Sequence, residues 1–365
     1  MDKKTCLVIS SVHSGGIEAD ILKYLEFINK TDNITVLVRS DKREGDFLGN
    51  FENSGAALKF MSLGYLNPFK FYEFYKFYKN SKFHTVCDFN ANFSALSIFA
   101  AYLAGIKNRI TFYKQGQDLF KKSALKSLIS KFFNRIVYKY STIILSNSHA
   151  AIAYFFPYRK KSDNRFDVIY GGIEPNDFEI SESKAEIRKM KGIPEDKYII
   201  GHVGRFTEAK NHKVILDVCK QISKEYNDIH FLLRGSDTEN LKPRIEELGI
   251  SENITLLGYQ KDIPRVLKSI DLFFFPSLTE GQPNALLEAM FTGLPFVASN
   301  IEPIKECVPK EFHKYLSNPN DVDSFVKSIL ELKEEKNQTN NLKEYALLNF
   351  SAKKNLNHFH NTLIK

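Results

Sequence analysis

The sequence has few cysteines and no long apolar segment. Cys6, Cys87, Cys219 and Cys307 stand far apart, with no CxxC pair and no Cys/His cluster at zinc-site spacing. They predict the reduced thiols of a cytosolic protein, and a disulfide miniprotein is excluded. No window reaches the roughly 18 to 20 apolar residues that a membrane-spanning helix needs. The apolar stretch near Cys6 soon gives way to the polar SSVHSGG, so we expect a first β-strand there and not a signal peptide.

The chain is long and apolar enough for two folded domains. It has 365 residues, of which 43% are hydrophobic and 13% aromatic. A single hydrophobic core stops growing near roughly 250 to 300 residues, so a chain of this length usually divides. The composition also excludes wholesale disorder and a collagen-like repeat.

Short β-rich runs alternate with helical patterns along nearly the whole chain. The candidates in the first half are CLVIS, ITVLVRS, HTVCDFN, RITFYK and TIILSNS, and those in the second half are YIIGHVGRF, IHFLLRGS, ITLLGY, DLFFFPS and PFVASN. Continuous apolar runs such as residues 271–276 fit strands that are buried on both faces of a parallel sheet. The pattern predicts an α/β protein with two Rossmann-like, doubly wound domains facing a cleft.

The domain boundary is expected in the polar stretch between the two series. We predict an N-terminal domain over residues 1–175 and a C-terminal domain over residues 176–345. A C-terminal helix over residues 346–365 would pack back on the first domain. In such sheets ligands bind outside the carboxyl ends of the strands, so functional residues are expected in the loops that follow strands.

A glycine pair follows the first strand directly. Gly15 and Gly16 precede a helix that we expect to begin near residues 17–18. Glycines let the backbone approach a phosphate or sugar, and the unpaired N–H groups of the helix offer an anion site. The alternative is a tight turn, because no GxGxxG pattern is present. His13, in the same loop, is either a binding residue or a structural hydrogen-bonding group.

The segment GRFTEAKNH, residues 204–212, follows the strand YIIGHV. Gly204 permits the turn, and Arg205 and Lys210 place two cations on the loop. A guanidinium fork and an ammonium point charge can match the charge of a diphosphate. A solvated basic loop is the alternative. The position at a strand end, in the more acidic half of the chain, favours binding.

The segment TEGQPNALLEAM, residues 279–290, follows DLFFFPS. Pro283 suits the first turn of a helix, so Glu280 would lie in the entry loop and Glu288 about one turn into the helix. Carboxylates accept pairs of hydroxyl hydrogens, so two of them suit a polyol ligand such as a ribose with a sugar. The alternative is a capping glutamate followed by an exposed one. The other predicted binding positions are Gly281, Gln282, Pro283, Asn284 and Ala285, the last two through outward-pointing N–H groups.

Residues 198–308 resemble a glycosyltransferase of family 4, a retaining, metal-independent group with the GT-B fold, of the bacterial surface-polysaccharide type. The matching segments are GHVGRFTEAKNH, RGSD, LLGYQKDIPRVLKSIDLFFFPSLTEGQPNALLEAM and TGLPFVASNIEPIKE. The first half is more loosely similar, through GGIE at residues 15–18, which resembles the glycine pair near the phosphates in the family.

The resemblance implies that the N-terminal domain is the acceptor side and that the C-terminal domain binds the nucleotide sugar. It also implies a role for each matching residue. Arg205 and Lys210 would bind the donor diphosphate, and Glu280 would contact the donor sugar, helped by backbone amides of residues 281–284. Glu288 would hold the ribose hydroxyls. The implied reaction transfers a glycosyl group from a nucleotide diphosphate sugar to a hydroxyl with retained anomeric configuration. Preorganised cations and helix amides would stabilise the departing diphosphate.

The sequence departs from this family in one catalytic position. Many relatives carry a histidine after the strand corresponding to RITFYKQGQD, but residues 111–118 contain none. Lys114, Gln115 and Gln117 are the polar candidates, and the assignment stays open among them. No metal cofactor is expected. Asp321-Val322-Asp323 spells the DxD of metal-using transferases, but its context predicts a helix N-cap and first turn.

Positive charge is concentrated in the first half of the chain. Residues 1–170 carry a net charge of +11, which leaves −3 for the rest. Residues 119–140 hold six basic residues and no acidic one, and residues 67–83 interleave aromatics with lysines. The apolar positions of a predicted helix there are Leu125, Leu128, Ile129, Phe132, Ile136 and Tyr140. We interpret both segments as a surface for the anionic inner leaflet of a membrane. The alternatives are a helix packed on its own sheet and a nucleic-acid surface, although no nucleic-acid module is recognisable.

These observations predict a cytoplasmic enzyme that associates peripherally with the inner face of the plasma membrane. It would be a hexosyl- or N-acetylhexosaminyltransferase that uses a UDP-sugar and a polyprenyl-linked saccharide in the synthesis of O antigen, capsule or exopolysaccharide. One alternative is a nucleotide-sugar epimerase of the same architecture, which would need acid and base groups. Another is a non-catalytic sugar-nucleotide or lipid-binding protein, which the missing histidine supports.

Overall fold

The computed structural model describes residues 3–64, 67–116, 124–259, 262–335 and 340–365. It divides into two compact units. The N-terminal unit takes in the chain up to Gly171 together with Asn355–Lys365, and the C-terminal unit is Gly172–Lys354. The first boundary thus lies four residues before the predicted one, and the returning segment begins at residue 355 and not at 346. Gly172 approaches Ala352 so closely that any side chain on it would overlap the Ala352 backbone.

The described part of the N-terminal unit contains a seven-stranded parallel sheet. Its strands are β1 (Thr5–Ile9), β2 (Ile34–Val38), β3 (Ala57–Phe60), β4 (Thr85–Asp88), β5 (Asn108–Tyr113), β6 (Ile143–Ser146) and β7 (Phe166–Val168). Its helices are α1 (Gly16–Ile28), α2 (Leu48–Asn53), α3 (Pro68–Ser81), α4 (Ala95–Leu103), α5 (Ala124–Tyr140) and α6 (His149–Phe155). The strand order is β3-β2-β1-β4-β5-β6-β7, which reverses direction between β1 and β4.

The C-terminal unit repeats this arrangement with a six-stranded sheet in its described residues. Its strands are β8 (Tyr198–Val203), β9 (Ile229–Arg234), β10 (Ile254–Leu256), β11 (Leu272–Phe275), β12 (Phe296–Ser299) and β13 (Leu316–Ser317). The helices that follow α6 are α7 (Lys184–Lys191), α8 (His212–Ile222), α9 (Lys242–Leu248), α10 (Ile263–Ser269), α11 (Asn284–Phe291), α12 (Glu302–Lys305), α13 (Val322–Glu334), α14 (Asn340–Phe350) and α15 (Ala352–Leu363). The order β10-β9-β8-β11-β12-β13 reverses between β8 and β11.

The apolar strand sequences explain why helices cover both faces of each sheet. Every residue of β1 is buried, and successive side chains of a strand point to opposite faces. Leu7 therefore packs in one layer with α1 and with Phe359 of α15. Cys6 and Val8 pack in the opposite layer, against α3 and α4. The prediction of two doubly wound α/β units is confirmed.

Three strands were not foreseen from the sequence, and all three lie at sheet edges. β3 and β7 are the outer strands of the first sheet, and β13 is an outer strand of the second. Their residues are half-buried or exposed. An edge strand of two to four residues needs no continuous apolar run, so the hydrophobic pattern does not reveal it.

Candidate functional site

The candidate site of the C-terminal unit lies where its strand order reverses. The loops that follow β8 and β11 leave the carboxyl ends of two neighbouring strands on either side of this point. The backbone N–H of Leu278 donates to the carbonyl of Ala209 at 2.8 Å and ties the two loops together. Ligands of such sheets bind at this position. The residues predicted for this unit lie on these two loops or in α11, which follows the second loop.

Lys210 and Glu280 are in direct contact. Lys210 Nζ donates to Glu280 Oε1 at 2.6 Å, and their side chains are only 22% and 10% exposed. The ammonium group also lies 4.7 Å from the centre of the Phe275 ring, at the end of β11. The pair therefore combines a cation and a carboxylate at the carboxyl edge of the sheet, in a place largely shielded from water.

Arg205 is the second predicted cation, and it is exposed on the same loop. Gly204, just before it, has little free space. A side chain there would lie 2.8 Å from Nε2 of His202 and 3.2 Å from the aliphatic part of Lys210. Glycine at this position thus allows the loop to pass over a buried histidine, while Arg205 projects into solvent.

The loop after β11 leads into α11, which begins at Asn284, one residue later than predicted. Pro283 precedes the helix, and its carbonyl accepts from Leu286 and Leu287. The N–H of Asn284 is taken by the carbonyl of Gln282 at 2.9 Å, so the prediction that it points outward unpaired is wrong. Gln282 is buried and Gly281 is half-buried. The N–H of Ala285 has no backbone acceptor within the described ranges.

Glu288 is the fifth residue of α11 and is half-buried. Arg234, the last residue of β9, lies within reach of the Glu288 charge. Burial lowers the pKa of the Arg234 guanidinium, and the negative charge of Glu288 opposes this effect in part. Arg234 was not predicted from the sequence. The only available signal was a charged residue immediately before the glycine of RGSD, at the end of an apolar strand.

Two buried histidines, also not predicted, support the loop after β8. His202 shares a hydrogen bond with the Phe274 carbonyl at 3.0 Å, and its ring meets that of His212 edge to face. Burial lowers the pKa of His202 well below its usual value. Burial and the nearby Lys210 charge lower the pKa of His212 to about 4. Both rings are therefore neutral at pH 7 and add no positive charge beside Lys210.

In the N-terminal unit, α1 begins at Gly16, with Gly15 as its N-cap. A carboxylate of the protein lies beside the predicted anion site. The Glu18 carboxylate lies against Gly15 so closely that a side chain on Gly15 would overlap it. Burial raises the pKa of Glu18. His13, in the preceding loop, is exposed and lies 3.7 Å from Asp46.

Of the residues considered in place of the missing histidine, Lys114 has the most defined surroundings. Its Nζ lies 2.5 Å from Asp20 Oδ2 of α1, and its side chain is 12% exposed. It also lies 4.8 Å from the centre of the Phe112 ring. Gln115 is half-buried, and Gln117 lies outside the described residues.

The DxD-like segment is a helix start, as predicted. Asp321 is the N-cap of α13, and its carboxylate accepts from the Ser324 N–H at 3.0 Å. Asp323 accepts from the Gln221 side chain. In the part of the chain that the structure describes, no group of three or more His, Cys, Asp or Glu residues is arranged to hold a metal ion.

Helix α5 divides the predicted apolar row into two parts. Leu128, Ile129 and Phe132 are 65%, 43% and 58% exposed, so this part of the predicted apolar row does not pack on the sheet. The helix instead buries Ser130, Asn134 and Val137. Ile136 and Tyr140 are half-buried; residues 119–123 and the Leu125 side chain lie outside the described part. None of the described helices has the length and apolar character required to cross a bilayer.

Residues 183–348, all within the C-terminal unit, match the family model described as glycosyl transferases group 1. The UDP-Gal:alpha-D-GlcNAc-diphosphoundecaprenol alpha-1,3-galactosyltransferase of Escherichia coli is 32% identical over 178 residues, which cover 47% of this chain and 46% of that protein. The capsular polysaccharide biosynthesis glycosyltransferase CapH of Staphylococcus aureus is 26% identical over 82% of both chains. This chain thus spans about half of the first relative and most of the second.

Among solved structures, Anabaena Alr3699/HepE in complex with UDP is similar with a TM-score of 0.83, at 18% identity and over 99% of both chains. At this identity the likeness concerns the fold. The predicted fold is confirmed by this structure. The family model and the relatives show that the C-terminal unit is similar to glycosyltransferases.

Proposed function

We propose that this chain, whose C-terminal unit carries the group 1 glycosyltransferase region, transfers a hexosyl or N-acetylhexosaminyl group from a UDP-sugar to a hydroxyl of a lipid-linked saccharide. It acts as a retaining enzyme of family 4 without a metal cofactor. The observation that carries the proposal is the contact between Lys210 and Glu280, which joins the two loops beside the reversal of the strand order.

The proposed mechanism depends on the negative charge that develops on the departing diphosphate. The bond between the anomeric carbon and the diphosphate oxygen breaks, and both electrons leave with the diphosphate. The acceptor hydroxyl oxygen forms the new bond to the anomeric carbon and passes its proton to the departing diphosphate oxygen. Lys210 and the exposed Arg205 stabilise the departing diphosphate, and the free N–H of Ala285 at the start of α11 contributes a fixed dipole. Two protein cations supply the positive charge that a metal provides in other transferases.

The two carboxylates would then bind the hydroxyl-bearing parts of the donor. Glu280 contacts the sugar, because it is held next to the diphosphate-binding Lys210. Glu288, farther along α11, holds the ribose hydroxyls. Ionised carboxylates accept hydrogen bonds only, so both suit ligands that offer hydroxyl donors.

The acceptor proposal rests on the relatives and on the N-terminal unit. The Escherichia coli relative is named for a lipid-linked acceptor, alpha-D-GlcNAc-diphosphoundecaprenol, and CapH for capsular polysaccharide. Helix α5 exposes Leu128, Ile129 and Phe132 on a segment with basic residues and no acidic ones. Exposed apolar side chains on a helix that also carries lysines and arginines suit an anionic lipid surface. We infer that α5 brings the enzyme to the cytoplasmic leaflet that carries its acceptor.

The direct test is transfer with purified protein. Radiolabelled UDP-galactose, UDP-glucose, UDP-N-acetylglucosamine and UDP-N-acetylgalactosamine are each incubated with a diphosphoundecaprenol-linked saccharide, with and without EDTA. We expect one donor to label the lipid, EDTA to have no effect, and NMR to show the donor's anomeric configuration in the product. Conversion of a donor to an isomeric sugar without acceptor would identify an epimerase. Nucleotide binding with no transfer to any acceptor would leave only a binding protein.

A further inference from the structure

Asn211 connects three loops at the carboxyl edge of the C-terminal sheet. It follows Lys210 directly, at the end of the loop after β8. Its side-chain Nδ2 donates to the Pro276 carbonyl at 3.0 Å and to the Pro319 carbonyl at 2.7 Å. Pro276 lies in the loop after β11, and Pro319 lies in the loop after β13. Both hydrogens of the amide group are therefore used, and the residue is buried.

The backbone of Asn211 is in the left-handed region, with φ at 55° and ψ at 43°. The residue separates the short 3₁₀ turn Glu208–Lys210 from the start of α8. Glycine adopts this conformation at the lowest cost, and asparagine is one of the few other residues that visit it routinely. Glycine has no side chain that could reach the two carbonyls. Asparagine thus meets the backbone requirement of the turn and also supplies two donors.

The backbone of Lys210 is tied on both sides to the loop that carries Glu280. On one side, the Ala209 carbonyl accepts from the Leu278 N–H at 2.8 Å. On the other side, Asn211 donates to the carbonyl of Pro276. Pro276 and Leu278 both precede Glu280 in this loop. The two bonds therefore fix the position of Lys210 relative to its carboxylate partner.

We propose that Asn211 is a positioning residue, which holds Lys210 where the negative charge of the departing diphosphate develops. The inference rests on the proposed function for the role of Lys210, and it adds a residue that acts on the reaction through this cation. Asn211 itself has no amide hydrogen left for a substrate. A charge stabilises a transition state best when it is placed in advance and needs no rearrangement. A displacement of about 1 Å can lower a rate about a hundredfold.

Asn211→Gly tests the inference kinetically, because glycine keeps the backbone conformation and removes both donors. We expect kcat to fall about tenfold or more and the KM for the donor to change less than about threefold, since the charge on the leaving group is largest in the transition state. Asn211→Asp should lower kcat at least as much, because an ionised carboxylate has no donor for the two carbonyls. Rates are measured at temperatures at which circular dichroism shows each variant to be folded. The matched control is Asn29→Gly, which changes an exposed asparagine with the same left-handed conformation at the end of α1 and should leave kcat unchanged.

Equilibrium binding of UDP and UMP, without acceptor, separates positioning from folding. UDP carries the terminal phosphate from which the sugar departs, and UMP lacks this phosphate. Asn211→Gly should weaken UDP binding about fivefold and leave UMP binding within about twofold of wild type, because only the contact with the ammonium group is impaired. In a Lys210→Met background the same substitution should have no further effect on UDP binding. A role in folding alone predicts a lower unfolding temperature with wild-type kcat and a wild-type ratio of UDP to UMP affinity.

The outcomes separate this inference from the proposed function. Wild-type kcat and UDP affinity in Asn211→Gly overturn the positioning role, even if Lys210→Met abolishes transfer. An equal loss of UDP and UMP binding overturns it as well, and so does a further loss of UDP affinity in the Lys210→Met background. If Asn211→Gly and Asn211→Asp both fail to fold, Asn211 is assigned to folding and the inference is rejected. A wild-type chain that binds neither nucleotide and transfers no sugar rejects the proposed function itself.

Discussion

Lys210 Nζ and Glu280 Oε1 lie 2.6 Å apart although 70 residues separate them in the sequence. The family resemblance assigns the cation to the diphosphate and the carboxylate to the sugar. The structure places the two groups in direct contact. A donor would therefore meet a cation whose position is already set by the carboxylate, and little rearrangement of the two side chains is needed to stabilise the departing diphosphate.

Lys210→Met and Glu280→Met should each abolish transfer. Each single change also leaves the other charge without its partner in a shielded place, which costs up to about 3 kcal/mol of folding free energy. The double variant removes both charges, so it should recover most of that stability while staying inactive. Urea unfolding and transfer rates check this. Lys213→Met, which affects an exposed lysine of α8, is the matched control. Recovery of activity in the double variant would make the pair purely structural.

Glu288→Gln should weaken UDP binding about tenfold or more, because a charge-assisted hydrogen bond to a ribose hydroxyl is lost. Wild-type protein should bind 2′-deoxy-UDP or 3′-deoxy-UDP more weakly than UDP, and the variant should have lost most of that difference. Calorimetry with the three ligands gives the answer. Glu247→Gln, which is exposed on α9, should behave as wild type. An unchanged preference for UDP in Glu288→Gln contradicts the ribose assignment.

Replacing Leu128 and Phe132 with serine should release the protein from anionic vesicles. Both side chains are exposed, so the fold should be unaffected, whereas apolar area that would enter the lipid is lost. Co-sedimentation with phosphatidylglycerol vesicles at low and high salt measures the effect, with phosphatidylcholine vesicles for comparison. Leu348→Ser removes an exposed leucine of the C-terminal unit and serves as the control. If the wild-type chain fails to sediment at low salt, α5 is not a membrane-binding surface.

The C-terminal unit should lose stability as the pH falls from about 6.5 towards 4. His212 has a pKa of about 4 in the folded chain and about 6.5 when unfolded. Within this window the unfolded chain binds a proton that the folded chain does not, so acid favours unfolding. The loss at pH 5 relative to pH 7 is about 2 kcal/mol for this histidine. His212→Asn should reduce the pH dependence of the free energy of unfolding, measured by urea denaturation, by that amount. An identical pH profile in the variant would show that His212 is protonated normally in the folded chain.

The regular elements were predictable where they are long and buried. The runs in β8 and β11 are apolar throughout, as strands buried on both faces require, and both were recognised. β3, β7 and β13 were missed because an edge strand buries little. The cations and carboxylates of the candidate site were recognised by their positions after strands, yet their spacing did not reveal that Lys210 and Glu280 touch.

Some side-chain contacts and exposures could not be predicted from the sequence, because they depend on how the elements pack. The position of the Glu18 carboxylate beside Gly15 depends on the rotamer of one side chain. The exposure of Leu128 and Phe132 depends on which side of α5 packs inward, and the helical periodicity alone favoured that row as a single face. Arg234 ends β9 and Tyr259 lies in the loop after β10. The guanidinium carbon of Arg234 lies 5.1 Å from the centre of the Tyr259 ring, and nothing in the chain between them indicates this proximity.

The amino-acid sequence alone determined the alternation of strands and helices, the two-unit α/β architecture and the loops on which charged residues would be found. These properties depend on the local periodicity of apolar residues, which can be read within each segment separately. Only the tertiary structure decided which loops are neighbours, which charges are paired and which apolar side chains face water. Those facts depend on strand order and register, which bring together residues that are distant along the chain.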